Sequence, residues 1–297
     1  MKKLRLQGAI TALVTPFNQD GSVDVETLKK LVQFQIKGRI DGIVPCGTTG
    51  ETPTLSEDEY RLVIETVVNE AGGKIPIIAG AGSNDTHKAI HYSLVAKEAG
   101  ADALLHVTPY YNKPTPAGLV AHFKAIAKAV DLPIILYNVP GRTGSNVTAA
   151  TLIKIIEEVP QVVGVKEASG NITQMMEIVK GVPASFSVLS GDDAFTLPLM
   201  AVGGVGIISV ASNQIPKEMA DLTRAALEGN FAKAKKLHYE WLDLMNINFI
   251  ESNPIPVKTA LSMMGKIKEV FRLPLVAIED KNREALKLVL KSHKLLK

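Results

Sequence analysis

Lys166 closes the apolar run Val162-Val163-Gly164-Val165, and Glu167-Ala168-Ser169-Gly170-Asn171 then turns the chain away. An ammonium at the end of a strand buried on both faces costs several kcal/mol unless it is paired or neutralised. Desolvation disfavours the charged form, so such a lysine can exist near neutral pH partly as a free amine. A free amine attacks carbonyl carbon and forms a Schiff base. The same position also suits a structural ion pair, and the surrounding residues have to decide between the two.

Three further segments carry usable chemistry. Gly47-Thr48-Thr49-Gly50-Glu51 sets two hydroxyls between glycines. Such a loop can aim backbone N–H groups and hydroxyls at a carboxylate, or serve only as a turn and helix cap. No Gly-Lys-Ser/Thr follows it, so it is not a Walker phosphate loop. Tyr137 ends the run Pro133-Ile134-Ile135-Leu136, where its hydroxyl can relay protons or its ring can fill space. Arg142 lies in the tight segment Pro140-Gly141-Arg142-Thr143-Gly144. Its guanidinium suits bidentate capture of a carboxylate, or a surface ion pair.

Other signals fail. Gly80-Ala81-Gly82 is followed by Asp85 where a dinucleotide fingerprint needs glycine. His87 and His91 share a helix face but lack a completing set of ligands. Asp192-Asp193 reads as acidic capping of the next helix. Neither a metal nor an organic cofactor is expected.

The elements that must position these residues follow from periodicity. Eight short β-rich runs occupy residues 8–14, 42–46, 75–79, 103–107, 133–137, 162–166, 186–190 and 205–210. Amphipathic stretches at 25–35, 57–69, 88–99 and 119–130 read as helices between them. Repeated βα units of roughly 30 residues predict a (β/α)8 barrel, an α/β TIM fold. A doubly wound sheet is the second architecture this pattern allows. The loaded loops all leave the C-terminal ends of the runs, where barrel active sites lie. Residues 1–215 are assigned to the barrel strands and their helices. Residues 216–297 are assigned to the last barrel helix and a helical C-terminal extension, with helices at 216–228, 231–249, 254–265 and 280–296.

Bulk properties exclude several classes. The 297 residues are 46% hydrophobic and 21% charged, and 33 basic against 30 acidic residues leave a net charge of +3. That balance implies no nucleic-acid partner. The opening Met1-Lys2-Lys3-Leu4-Arg5 lacks a following apolar segment, and no run is long enough to span a membrane. One cysteine, Cys46, fits a reducing cytoplasm.

Together, Gly47-Thr48-Thr49-Gly50-Glu51, Tyr137-Asn138-Val139-Pro140, Gly164-Val165-Lys166-Glu167 and Asn253-Pro254-Ile255-Pro256-Val257-Lys258 resemble the pyruvate-dependent class I aldolases and lyases of the dihydrodipicolinate synthase/N-acetylneuraminate lyase group. The paired threonines, Thr108-Pro109-Tyr110-Tyr111 and Arg142-Thr143-Gly144 look like the synthase branch. The resemblance implies a lyase that joins pyruvate to L-aspartate 4-semialdehyde on the route to diaminopimelate and lysine; the alternatives are another Schiff-base 2-keto acid aldolase of the N-acetylneuraminate lyase kind and a non-catalytic barrel that binds small acids. It implies Lys166 as the Schiff-base residue, and Tyr137, Thr48 and Tyr111 as a proton relay. Thr49 and the backbone at Ile208 would hold the pyruvate carboxylate, and Arg142 the semialdehyde carboxylate. A homo-oligomer, a dimer of dimers, is implied, in which Tyr111 reaches a neighbour's site. Lysine-inhibited relatives bind that effector near the position of Tyr110. Here the matching residues are Thr52, Pro53, Glu57, Tyr60, Asn84 and Lys88, and the cation of Lys88 stands where an acid is needed, so weak or absent inhibition is expected.

Overall fold

The apolar runs become eight parallel strands: β1 (Gly8–Ala12), β2 (Gly42–Val44), β3 (Ile78–Gly80), β4 (Ala103–Val107), β5 (Ile134–Asn138), β6 (Val162–Glu167), β7 (Ser187–Ser190) and β8 (Gly206–Ser209). The computed structural model describes residues 6–296, so the basic opening Met1-Lys2-Lys3-Leu4-Arg5 lies outside the described residues. Strands pair in the order β2-β1-β8-β7-β6-β5-β4-β3. A parallel bridge between Ile43 and Ile77 joins the two ends, so the sheet closes into a barrel. Closure overturns the doubly wound alternative, which needs two free edges. β8 lies so close to β1 that a Cβ on Gly206 would stand 2.0 Å from the Gly8 carbonyl oxygen.

Alternation along each strand separates two cores. Ile10, Ala12, Val44, Ile78, Leu105, Ile135, Tyr137, Leu189 and Ile208 meet inside the barrel. Ile134, Leu136, Val162, Val165 and Val188 face outward into the helix layer. Two of the barrel helices begin at side-chain caps. Glu57–Ala71 starts at a Ser56/Glu59 capping box, and Thr86–Glu98 starts where Asp85 accepts from His87 and Lys88 N–H groups. After β8 come Pro216–Leu227, Phe231–Ile247, Ile255–Met263 and Asp280–Ser292, all helical. No described helix is long and apolar enough to cross a membrane.

Candidate active site

The register of β5 on β6 sets Tyr137 beside Lys166 and Asn138 beside Glu167. Pleating sends the first pair into the barrel and the second out behind it. Asn138 Nδ2 donates to Glu167 Oε2 at 2.9 Å and to Asn146 Oδ1 at 2.9 Å, while Ser169 N–H donates to Glu167 Oε1 at 2.8 Å. Both outward residues are fully buried. A satisfied polar network of this kind resists slippage, and it fixes the Tyr137–Lys166 pair from behind.

Lys166 is 5% exposed. Among the described residues its side-chain nitrogen makes no hydrogen bond and no carboxylate salt bridge. Its Nζ lies 4.2 Å from the centroid of the Tyr137 ring. The stem crosses Gly191, where an added Cβ would come 3.1 Å from both Cγ and Cε of the lysine. Glycine there leaves the room the amine needs. Burial lowers the Lys166 pKa to about 8; Asp193 opposes the shift and Arg142 adds to it. Burial pushes the Tyr137 phenol up to about 12, against the pull of Arg142 and with the push of Asp192. At neutral pH the pair is therefore an amine partly free and a phenol fully protonated, a nucleophile beside a proton carrier.

A cavity of about 460 Å³ reaches Tyr137 of this pair, with Thr48, Val107, Val139 and Arg142 also in its wall. That is ample room for two small acids. Thr49 is buried behind Thr48, and its hydroxyl oxygen accepts from Asn253 Nδ2 at 2.9 Å. Arg142 donates to the Asn253 carbonyl oxygen at 3.3 Å. Ile208 is fully buried on β8 and joins the interior cluster that holds Tyr137. Tyr111 does not join this constellation. It is 89% exposed, with a left-handed backbone at φ 69°.

Several pairings escaped the reading of the sequence. Lys258 is fully buried and pairs with Glu51, the last residue of the Gly47–Glu51 loop. Lys258 Nζ also donates to the Val270 carbonyl at 2.8 Å, and Arg272 N–H donates to Glu51 Oε2 at 3.3 Å. The C-terminal helices thus grip the loop that carries both threonines. Asp192 caps the turn after β7 as expected, accepting from Ala194 N–H at 2.9 Å. Asp193 does not cap; it turns inward and is 1% exposed. Tyr60 is a correction as well: its hydroxyl donates to the Gly80 carbonyl at 2.9 Å, it is buried, and Tyr92 takes the place in the cavity wall. His91 pairs with Glu57 at 2.8 Å, and no group of three metal-ligating side chains occurs among the described residues.

The chain matches the model of the dihydrodipicolinate synthetase family over residues 5–293. It is 55% identical to the 4-hydroxy-tetrahydrodipicolinate synthase of Koribacter versatilis, covering 95% of this chain and 94% of that one. Its fold superposes on a dihydrodipicolinate synthase crystal structure from Aquifex aeolicus with a TM-score of 0.95 and 50% identity, over 98% of this chain and 99% of the other. The Thermotoga maritima dihydrodipicolinate synthase gives a TM-score of 0.97 at 43% identity, over 99% and 100% of the two chains.

Proposed function

We propose a reaction from one premise: the chain belongs to the dihydrodipicolinate synthetase family. It is a lyase that condenses pyruvate with L-aspartate 4-semialdehyde to give 4-hydroxy-tetrahydrodipicolinate, an early step towards diaminopimelate and lysine. The observation that carries the reading is Lys166, a buried amine with no carboxylate partner within bonding reach, against the ring of Tyr137. Its nitrogen adds to the pyruvate ketone, and loss of water leaves a cationic imine. The imine acidifies the neighbouring methyl group; loss of a proton gives an enamine, which attacks the aldehyde carbon.

Thr49 and the backbone at Ile208 hold the pyruvate carboxylate. Arg142, on the open rim of the cavity, receives the carboxylate of the semialdehyde through its fixed donor fork. Tyr137 and Thr48 carry protons between the reacting atoms and solvent. Tyr111 completes the relay from a second subunit, in a homo-oligomer built as a dimer of dimers. Its 89% exposure in the single chain supports that role. The reaction belongs in the cytoplasm.

The test is pyruvate with borohydride. A reduced pyruvyl group on Lys166, located by peptide mass mapping, is the expected result, together with consumption of the semialdehyde by the untreated protein. Labelling of another lysine, or none, would overturn the mechanism. For the relay, hybrids of Tyr111→Phe and Lys166→Ala subunits should recover activity that neither parent has.

A further inference from the structure

The loop after β2 has two faces. Gly47, Thr48, Thr52 and Pro53 stand in the cavity wall. Glu51, between them, sends its carboxylate the other way, into the C-terminal extension. Its backbone is left-handed at φ 54°, a region that favours glycine, so the turn needs support from outside. Lys258 pairs with one carboxylate oxygen, and Arg272 N–H donates to the other at 3.3 Å. The Arg272 side chain ties down the same stretch: it donates to the Thr54 carbonyl at 2.6 Å and to the Gly21 carbonyl at 2.7 Å, and it pairs with Glu59. The ring of Phe17 meets both cations, with its centroid 4.3 Å from Lys258 Nζ and 4.4 Å from the guanidinium carbon of Arg272. A buried ion pair adds little stability over apolar side chains of the same size. What it can add here is one fixed geometry for the turn.

We propose that Glu51 and Lys258 are positioning residues for pyruvate: they lock the loop so that Thr49 is held where the carboxylate binds, and the C-terminal extension thereby sets the affinity for that substrate. The inference rests on Thr49 as the holder of the pyruvate carboxylate. The extension also reaches Thr49 directly. Asn253 Nδ2 donates to its hydroxyl oxygen at 2.9 Å, and Asn253 stands just before the helix Ile255–Met263 that carries Lys258. On the barrel side, Thr15 Oγ1 donates to the Gly50 carbonyl at 2.7 Å. Without the ion pair, Thr15 and Asn253 still hold the middle of the loop, but the left-handed turn that follows Gly50 is released. Neither Glu51 nor Lys258 lines the cavity, so the loss falls on the binding of pyruvate more than on the chemistry at Lys166.

The experiment is the pyruvate concentration that half-saturates borohydride trapping on Lys166, read by mass spectrometry on the full chain. Glu51→Gln combined with Lys258→Met removes both buried charges, so neither is stranded. It should raise that concentration about tenfold, inside the roughly hundredfold loss that a misplacement of about 1 Å can cause. The saturated trapping rate should fall by a smaller factor. Glu269→Gln combined with Arg283→Met is the control. These two residues pair within the same extension, with Thr259 as a further partner of Glu269, and the concentration should stay in place. Glu51→Gln alone keeps an acceptor for Lys258 and should give a rise of about threefold, as a neutral acceptor replaces a charged one. It decides if the double variant does not fold. An unmoved concentration in a folded Glu51 variant overturns the proposal, whatever happens to the saturated rate. So does an equal rise in the control, since loosening the extension anywhere would then suffice. Wild-type protein that traps no pyruvate on Lys166 would overturn the functional reading itself, a result distinct from any variant's.

Discussion

Lys166 and Lys258 are two buried lysines in one chain, 5% and 0% exposed, and burial is the first cause of a lowered pKa in both. Their company differs. Lys258 has the Glu51 carboxylate, the Val270 carbonyl and the face of Phe17 with its centroid at 4.3 Å. Lys166 has the face of Tyr137, a residue that also lines the cavity, and no salt bridge to a carboxylate among the described residues. Burial alone does not make a nucleophile. A buried amine becomes one when the fold withholds a direct counter-ion and leaves a path for a carbonyl.

The comparison breaks if both lysines respond alike to the same substitution. Lys166→Met should abolish pyruvate trapping and lower the condensation rate by a factor on the order of 10⁴. The same variant should be more stable than the wild type at pH 7, because it replaces a buried, poorly paired amine with an apolar side chain. Lys258→Met should do the reverse. It strands Glu51 as an uncompensated buried carboxylate and should cost about 3–5 kcal/mol in denaturant melts. Adding Glu51→Gln to Lys258→Met should recover a large part of that loss. Protein of either Lys258 variant that remains folded should still trap pyruvate on Lys166.

A pH series sharpens the contrast. The folded pKa of Lys166 lies near 8, below the ordinary lysine value of 10.5. Between those values the unfolded chain binds more protons, so stability rises with pH across the window. The gain is about 3 kcal/mol at most, and it should be missing from Lys166→Met. Denaturant midpoints at pH 7 and 10 for the two proteins check this; parallel changes would remove Lys166 as the cause.

The barrel and the inward residues were legible because they depend on local pattern. Lys166, Tyr137 and Arg142 each end an apolar run or occupy the loop after one, and period alone puts them at one end of a barrel. What stayed hidden depends on distant pairing. Glu51 meets Lys258 across 207 positions, and Thr49 meets Asn253 across 204. Asp193 looked like a cap because its neighbour Asp192 is one; alternation along the turn after β7 sends the two carboxylates opposite ways. Tyr60 and Tyr92 lie on different helices and pack edge to face, 4.9 Å between centroids, so which of them reaches the cavity is a matter of tertiary packing.

Asn253 gives a smaller effect between the two regions. It belongs to the C-terminal extension, yet its amide orients Thr49 and its carbonyl accepts from Arg142. Asn253→Ala keeps the backbone carbonyl and removes the amide. The loss of one neutral hydrogen bond, about 1 kcal/mol, should weaken pyruvate use roughly fivefold and leave the pH of half-maximal trapping unchanged. A kcat/KM for pyruvate equal to the wild type would show that Thr49 needs no such support.

The last contrast concerns a third lysine. Lys88 is exposed, and it stands in the outer wall of the cavity with Asn84, Tyr92 and Tyr110. Its side chain is exposed to water and lies in the cavity wall, so unlike buried Lys166 it acts on ligands by repulsion or attraction alone. Glu57, the acid best placed by sequence to offset it, is engaged by His91 at 2.8 Å. A cationic amino acid entering this chamber would meet a like charge and lack a free carboxylate for its side-chain amine. Losing one charge-assisted bond removes roughly 1.5–3 kcal/mol, a tenfold to hundredfold loss of affinity. L-Lysine titrated at saturating pyruvate and semialdehyde should therefore inhibit weakly or not at all. Lys88→Glu reverses the charge in the same wall and should increase sensitivity to L-lysine without altering trapping on Lys166. Strong inhibition of the wild type at submillimolar lysine would mean that the wall supplies a counter-charge from elsewhere, and the contrast among the three lysines would then reduce to the two buried ones.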